Sequence, residues 1–307
     1  MSSPFGPLVL IANPSEEGGR IGDELPEIEG HLWAMGLAHR LVRVEDPAGA
    51  GTAAAEALLT GDRFLVAVGG DRLVHEVANG MFDQGRPANP EAVLGVVPAG
   101  GQADFIKTFG LPPDTEKACR HLQGDRVFPI DAGAILATDS DGGDVRRHFV
   151  NIAEVGLGAT VVRRTGRLPE GLGRARRFLG FWLALMAFRP TDVMLTGDRR
   201  TWQGRVHGVL VANCQYQGGG MRISPKSWPD DGFLDVLVMK GPKSDSFTIL
   251  PKTYLGEHLP HPNIVEYRSR TLRVESLRPL WIQADGEILG TTPATFEVVP
   301  KAIRLKI

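Results

Sequence analysis

Asp71 follows Gly69-Gly70, which close the apolar run Phe64-Leu65-Val66-Ala67-Val68, and precedes Leu73, Val77 and Met81 at four-residue spacing. The run has strand character, and the spacing puts the three later side chains on one helix face. A buried strand, a glycine turn and an amphipathic helix make half of a βαβ unit. Such a turn brings free backbone N–H groups to a helix start, a ready site for phosphate. A bare carboxylate there repels phosphate. Asp71 is therefore either a helix cap or a chemical group, holding Mg²⁺ near phosphates or accepting a proton from an attacking hydroxyl. These residues alone leave both readings open.

The elements around this stretch alternate. Leu8 to Ala12 reads as a strand, followed by the loop Asn13 to Gly19 and a helix carrying Leu25, Ile28, Leu32 and Met35. Leu41 to Val44 is a second strand, Thr52 to Leu59 a helix, Val93 to Val97 a further strand, and short helices end near Thr108 and Leu122. Alternating strands and helices predict a parallel α/β sheet, whose ligands bind beyond the carboxyl ends of the strands. The loops after Ala12, Val68 and Val97 lie there, and all three carry glycine.

After about Ile130 the pattern changes. Ala132–Ala137, His148–Ile152, Thr191–Leu195, Val206–Ala212, Leu234–Met239, Thr271–Glu275, Leu280–Ala284 and Thr295–Val299 read as strands with turn residues between them. The expectation is an α/β domain over residues 1–131 and a mainly antiparallel β-sandwich over 132–301, with a cleft between them. The segment Arg163 to Arg189 stands apart. It holds seven arginines and one acid beside Phe178, Leu179, Phe181, Trp182, Leu183, Leu185, Met186 and Phe188. Its apolar part is apolar nearly all round, which favours a core helix. The basic flank keeps a membrane-surface reading open.

Composition narrows the class. The 307 residues are 42% hydrophobic and 23% charged, enough apolar content for two packed domains. The formal net charge of -2 gives no overall basic footprint for nucleic acid. Cys119 and Cys214 are far apart and fit neither a disulfide framework nor a zinc site, which suits a reducing cytoplasm. Neither a signal peptide nor a bilayer-spanning run is visible.

Four segments in one order resemble the diacylglycerol kinase catalytic domain family. GGDRLVHEVANG resembles its GGDGT-containing loop and helix, and PAGGQADFIKTFGLP its second glycine loop. GGGMRISPKSWPDDGFLDV resembles its D-G-x-L-D-V segment, and QADGEILG its late D-G-E. Phe149-Val150-Asn151-Ile152 is similar to a further strand of the family. Together the segments cover nearly the whole chain. Bacterial soluble lipid kinases, sphingosine kinases and ceramide kinases share this domain, and its nucleotide half is similar to NAD kinases and 6-phosphofructokinases.

The resemblance implies a nucleotide-binding α/β domain, a lipid-substrate β-sandwich, and a last strand, residues 302–307, returning to the first domain. It implies transfer of the ATP γ-phosphoryl group to a lipid hydroxyl with Mg²⁺. Asp71 would lie by phosphates and metal, and Glu287 would be the general base. Asn13, Pro14, Ser15, Gly69, Gly70, Arg72, Glu76, Gly100 and Gly101 would contribute to the nucleotide site. Asp231, with backbone oxygens of Trp228 and Phe233, would hold a structural Mg²⁺, a use that suits oxygen ligands on a turn. Asp285-Gly286 also reads as a type I′ hairpin turn, and Asp230-Asp231-Gly232 as a turn. A diacylglycerol-type or sphingoid lipid is the expected partner, with peripheral contact at the inner membrane face and a homodimer left open.

The departures from the family pattern all fall on the phosphate loops. Arg72 and Leu73 replace Gly-Thr after Asp71, Gly101 and Ala103 replace Thr and Asn in the second loop, and Glu16-Glu17 enter the first. Carboxylates near a triphosphate cost roughly 1 kcal/mol or more per close pair. Two outcomes follow: an active lipid kinase in which Arg72 supplies charge to the phosphates, or a kinase-fold protein that binds nucleotide weakly or not at all and acts through lipid binding or regulation.

Overall fold

The computed structural model describes residues 3–101, 103–138, 142–172 and 174–307. In the first half, β1 (Leu8–Ala12), β2 (His39–Arg43) and β3 (Phe64–Val68) are separated by α1 (Arg20–Ala34) and α2 (Pro47–Leu59), and α3 (Asp71–Gly80) follows β3. A ribbon of β4 (Phe82–Asp83) and β5 (Arg86–Pro87) leads to β6 (Val93–Val97), α4 (Phe105–Thr108) and α5 (Thr115–His121). The four long strands form a parallel sheet in the order β2-β1-β3-β6, with Leu10 opposite Val66 and Val66 opposite Gly95. The sheet is covered on both faces, which explains its uninterrupted apolar runs. Leu10, Val66 and Val97 pack with Ile21, Leu25 and Ile28 of α1 and with Cys119 of α5. Ile11, Ala67 and Val96 pack with Ala54 of α2 and Leu73, Val74 and Val77 of α3. α2 and α3 cross with their backbones touching: a Cβ on Gly80 would lie 2.1 Å from the Gly51 carbonyl oxygen.

The second half begins with β7 (Val127–Thr138), β8 (Asp144–Phe149) and β9 (Ile152–Gly156). Two helices follow, α6 (Leu157–Gly166) and α7 (Arg174–Ala187), then β10 (Thr191–Gly197), β11 (Thr201–Val206) and β12 (Gly208–Ala212). The chain continues through a ribbon of β13 (Tyr216–Gln217) and β14 (Met221–Arg222), β15 (Leu234–Met239), α8 (Ser246–Thr253), β16 (Ile264–Ser269), β17 (Thr271–Ser276), β18 (Trp281–Ala284) and the 20-residue β19 (Glu287–Lys306). Pairing among these strands is antiparallel, and they close a core around Phe149, Val155, Val211, Val236, Ile282 and Phe296. The fold is thus a parallel α/β domain followed by an antiparallel β-sandwich-like domain.

Two strands run through both halves. β7 and β19 pair antiparallel from Val127–Lys306 to Thr138–Thr291, with register shifts on the β19 side at Thr291/Ala294 and Val299/Ile303. The end of β19 joins the parallel sheet, with Arg304 and Leu305 beside Val93 and Leu94 of β6. Asp131 holds the crossing: its carboxylate accepts from the amides of Gly232 and Lys301 at 2.7 Å each.

Several sequence expectations are corrected. His148–Ile152 is two strands, not one, because the Asp285 carboxylate takes the amides of Val150, Asn151 and Ile152 and breaks the ladder there. Val206–Ala212 is interrupted at His207, where β11 ends and β12 begins. α2 starts earlier than Thr52, at Pro47, because Asp46 caps it through the Gly49 amide. α6 and β16 were not expected at all. α7 is not a core helix. Ala184 and Leu185 are buried, but Phe178, Leu183 and Met186 are 64%, 48% and 77% exposed. No helix among the described residues is long and apolar enough to cross a membrane.

Candidate active site

The carboxyl ends of β1, β3 and β6 bring three loops together. At the first, Asn13 Oδ1 accepts from the amide of Ser15 at 3.1 Å and from its hydroxyl at 2.7 Å, an Asx turn in which both polar groups serve the loop itself. Pro14 passes its carbonyl to the Gly22 amide. Glu17, Gly18 and Gly19 then run left-handed at φ +53°, +71° and +90°.

At the second, the helix cap is Gly70 rather than Asp71. The Gly70 carbonyl accepts from the amides of Leu73 and Val74. The amides of Asp71 and Arg72 stand at the helix start, where no intrahelical carbonyl reaches them. Leu73 is fully buried, so it belongs to the core and not to a phosphate cradle. Arg72 is exposed and near Glu16, whose carboxyl pKa is raised by burial with the Arg72 charge opposing the rise.

The Asp71 carboxylate reaches across to the third loop. It accepts from the amide of Phe105 at 2.9 Å and from that of Asp104 at 3.0 Å. Burial raises its pKa to about 7; the Phe105 amide opposes the rise, and the nearby Asp104 and Asp285 carboxylates add to it. Asp104 continues the chain of ties, to Lys107 Nζ at 2.7 Å and to the Gly219 amide of the second half at 2.7 Å. In the same loop Gly100, at φ +71°, donates its amide to the Glu24 carboxylate at 3.1 Å. A carboxylate therefore occupies a donor that phosphate would use. Glu17 lies alongside: Cβ atoms on Gly100 and Gly101 would be 3.3 and 3.7 Å from its side chain.

The second cluster lies where α3 meets the hairpin between β18 and β19. Asp285 and Gly286 turn it with φ +48° and +94°, the left-handed pair of a type I′ turn. Asp285 also accepts from three amides of the second half, as above, and from His75 Nδ1 at 3.2 Å. His75 is fully buried, and its Nε2 faces Glu287 Oε2 at 2.9 Å. With a carboxylate on each ring nitrogen, His75 is held as imidazolium. Burial alone would lower its pKa, but the hydrogen bonds to Asp285 and Glu287 prevail and raise it to about 9.

Arg147 completes the cluster. It donates from NH2 to Glu76 Oε2 at 2.8 Å and to Glu287 Oε2 at 2.8 Å, and from Nε to Glu287 Oε2 at 3.2 Å. Burial works upward on the Glu287 carboxyl, yet His75 and Arg147 hold it down at about 2. All three donors fall on Oε2. Among the described residues, Oε1 has no partner, and the side chain is 28% exposed. Glu287 thus keeps one oxygen without a partner on a fixed, partly exposed carboxylate. His75, Glu76 and Glu287 place ligand atoms within 4.8 Å of one another, but the Arg147 guanidinium already bridges the two carboxylates.

Residues 7–135 match the diacylglycerol kinase catalytic domain, and residues 151–307 match the YegS C-terminal NAD kinase beta sandwich-like domain. The chain belongs to the diacylglycerol kinase and YegS family. It is 29% identical to a diacylglycerol kinase of Bacillus subtilis (strain 168) over 247 residues, covering 80% of this chain and 77% of that protein. It is 26% identical over 293 residues to a protein of Citrobacter koseri named "Probable lipid kinase YegS-like", covering 94% and 89% of the two chains. The crystal structure of a diacylglycerol kinase from Bacillus anthracis superposes with a TM-score of 0.73 at 22% identity, over 99% of this chain and 97% of that one.

Within this family frame, the structure distributes the expected site residues unevenly. Asp71, Gly69, Gly70, Arg72, Gly100, Gly101 and the Asn13-Pro14-Ser15 loop gather at the strand ends. Glu76, 3% exposed, faces away from them and joins Arg147. The residues of the expected structural Mg²⁺ position lie together on one turn. Asp231 gives Oδ2 to Arg268 at 2.8 Å and Oδ1 to the Phe233 amide at 3.0 Å, while the Trp228 carbonyl accepts from the Asp231 amide. The exposed Arg268 guanidinium thus shares the Asp231 carboxylate with the Phe233 amide. His75 and Arg147 were not foreseen. The available signals were His75, one helical turn beyond Asp71, and the basic triplet Arg146-Arg147-His148 ahead of a strand.

Proposed function

We propose that the chain transfers the γ-phosphoryl group of ATP to the hydroxyl of a diacylglycerol-type lipid, with Glu287 as proton acceptor. The observation that carries this reading is the division of labour on Glu287, with Oε2 clamped by His75 and Arg147 and Oε1 free. A carboxylate held at so low a pKa is a weak base. Phosphoryl transfer through a loose transition state asks little of its base until late, when the hydroxyl proton must have an acceptor already aligned. Clamping Oε2 fixes Oε1 and excludes the protonated form that could not accept. Asp71 sits at the helix start among N–H donors suited to phosphate. Asp104 and Asp285 lie near it, a grouping of carboxylates that suits a divalent cation. Mg²⁺ bound there would neutralise charge on the phosphoryl oxygens.

The test combines calorimetry and transfer of labelled phosphate to lipid. Glu287→Gln is expected to keep ATP affinity within about twofold while transfer falls about 10²–10⁴-fold. Normal turnover in that variant removes Glu287 from the role. A second reading, lipid binding with little nucleotide binding, is favoured by one observation: Glu24 holds the Gly100 amide and Glu17 lies against the same loop. Absence of heat on titrating the folded protein with millimolar ATP and Mg²⁺ selects it.

A further inference from the structure

Glu154 stands on β9 with a carboxyl group that the fold uses only in part. Its Oε2 accepts from Gln283 Nε2 at 3.1 Å. Its Oε1 has no partner among the described residues, and the residue is partly exposed. The groups packed against it are uncharged. Leu210 of β12 lies beside it on one side of the sheet and the fully buried Gln283 of β18 on the other. At the start of α6, Gly158 leaves room for the carboxyl: a Cβ there would meet Oε2 at 1.7 Å and Oε1 at 2.9 Å. Burial raises the Glu154 pKa to about 7, opposed only by the Gln283 bond, with no charged group acting on it. Asp71, Asp131 and Asp285, by contrast, have both oxygens engaged. Placing an acid in such a recess costs stability unless its polar atoms are satisfied, so the idle oxygen points to a ligand.

The strands place this oxygen near Glu287. Ile152, two residues before Glu154 on the same sheet face, packs with Leu210, Leu237 and Ile264. Asp285, two residues beyond Gln283, takes the Ile152 amide and bonds His75, which in turn holds Glu287. Two residues of strand span roughly 7 Å, so Glu154 lies behind Glu287 on the side of the second domain. Gln283 links the two: its Oε1 accepts at 2.8 Å from the amide of Gly286, in the turn that leads to Glu287. The chemistry of the carboxyl narrows the ligand. With Oε2 accepting from Gln283, a proton on the acid belongs on Oε1, and a neutral carboxyl donates where a carboxylate can only accept. Its complement is an uncharged acceptor, and an ester carbonyl is one.

We infer that the Glu154 carboxyl donates through Oε1 to an ester carbonyl of the acceptor lipid, and so selects diacylglycerol over lipids with no carbonyl beside the reacting hydroxyl. The inference rests on the kinase reading for the pose of the lipid: with the hydroxyl at Glu287 and the acyl chains toward the second domain, the ester groups lie between them. The test reads binding alone, without ATP. Dioctanoylglycerol, a diester, and dioctylglycerol, the diether that lacks both carbonyls, are titrated calorimetrically into full-length wild type, Glu154→Gln and Glu154→Leu. At pH 7 the wild type is expected to bind the diester about 10-fold more tightly than the diether, the worth of one hydrogen bond. Glu154→Gln still donates and should keep most of that preference, and Glu154→Leu should lose it. At pH 9, where Glu154 is ionised, the preference should fall in wild type and persist in Glu154→Gln. Equal affinity of the wild type for the two lipids overturns the assignment without recourse to any variant. So does a preference that survives in Glu154→Leu, or one that falls equally in Glu154→Gln at pH 9. Tighter binding of a sphingoid base than of the diester, lost in Glu154→Gln, would make Glu154 an ammonium ligand and also overturn it. An ester preference that depends on Glu154, in a protein that transfers no phosphate, upholds the assignment and removes the kinase reading alone.

Discussion

Replacing His75 by Gln should remove a specific part of the protein's alkaline instability. The folded-state pKa of His75 is raised from 6.5 to about 9. Its contribution is therefore fully present below pH 6.5 and is lost as pH rises through 9. Integrating the proton linkage, the stabilisation lost between pH 7 and pH 9 is about 2 kcal/mol. Other groups titrate nearby with the same sign. Asp71 and Glu154, raised to about 7, complete most of their loss by pH 8, and Cys119, raised to about 11, loses most of its share above pH 9. These occur in wild type and variant alike, so the difference between the two proteins isolates His75. The assay is urea unfolding at pH 7, 8 and 9. With a slope of about 3 kcal/mol per molar urea, the wild-type midpoint should drop about 0.7 M further than that of His75→Gln between pH 7 and 9. The variant should be the less stable protein at pH 7, where Asp285 loses its cation. Parallel midpoints across the range would show that His75 is neutral in the fold, and the account of Glu287 as a clamped, ionised carboxylate would go with it.

Two further perturbations probe neighbouring parts of the site. Arg147→Met leaves Glu76, 3% exposed, without a cation; breaking such a pair costs about 3–5 kcal/mol, and adding Glu76→Gln should restore most of it in denaturant unfolding. No recovery in the double variant would mean the arginine matters through Glu287 instead. Glu24→Ala frees the Gly100 amide and should tighten ATP binding about 3–10-fold by calorimetry, the worth of one hydrogen bond to a charged oxygen; unchanged affinity would place the phosphates away from this loop.

Local signals carried the first domain well. Phe64–Val68 and Val93–Val97 are strands with the boundaries the sequence suggests, because each is a five-residue apolar run closed by glycine or proline and buried on both faces. The hairpin at Asp285-Gly286 was readable as an alternative to a chemical role, and the two residues do turn there with positive φ. What escaped was non-local. The partners of His75 lie 210 and 212 residues away, and those of Arg147 lie 71 and 140 residues away. In the sequence His75 sits inside an apolar helical pattern with nothing to mark its charge. α6 was hidden by Gly156 and Gly158, which flank its first residue; Gly158 is small because the Glu154 carboxylate lies against it, 1.7 Å from where a Cβ would stand. α7 misled for a different reason: an all-round apolar helix reads the same in sequence whether or not the rest of the chain covers its second face.

The acids that look chemical in the sequence are mostly structural, and the structure separates them by what each oxygen touches. Asp71, Asp104, Asp131, Asp231 and Asp285 have both carboxylate oxygens engaged, largely by backbone amides of another segment. Two of these contacts tie the two halves of the chain: Asp104 to Gly219, and Asp285 to His75. Glu76 reaches only Arg147 but is shut away from solvent. Glu287 alone among them combines an oxygen without a partner among the described residues with a partly exposed side chain. A buried carboxylate satisfied by amides gains rigidity at the expense of reactivity. Here such groups fix the hairpin and α3, and that rigidity holds in place the Glu287 oxygen left without a partner among the described residues.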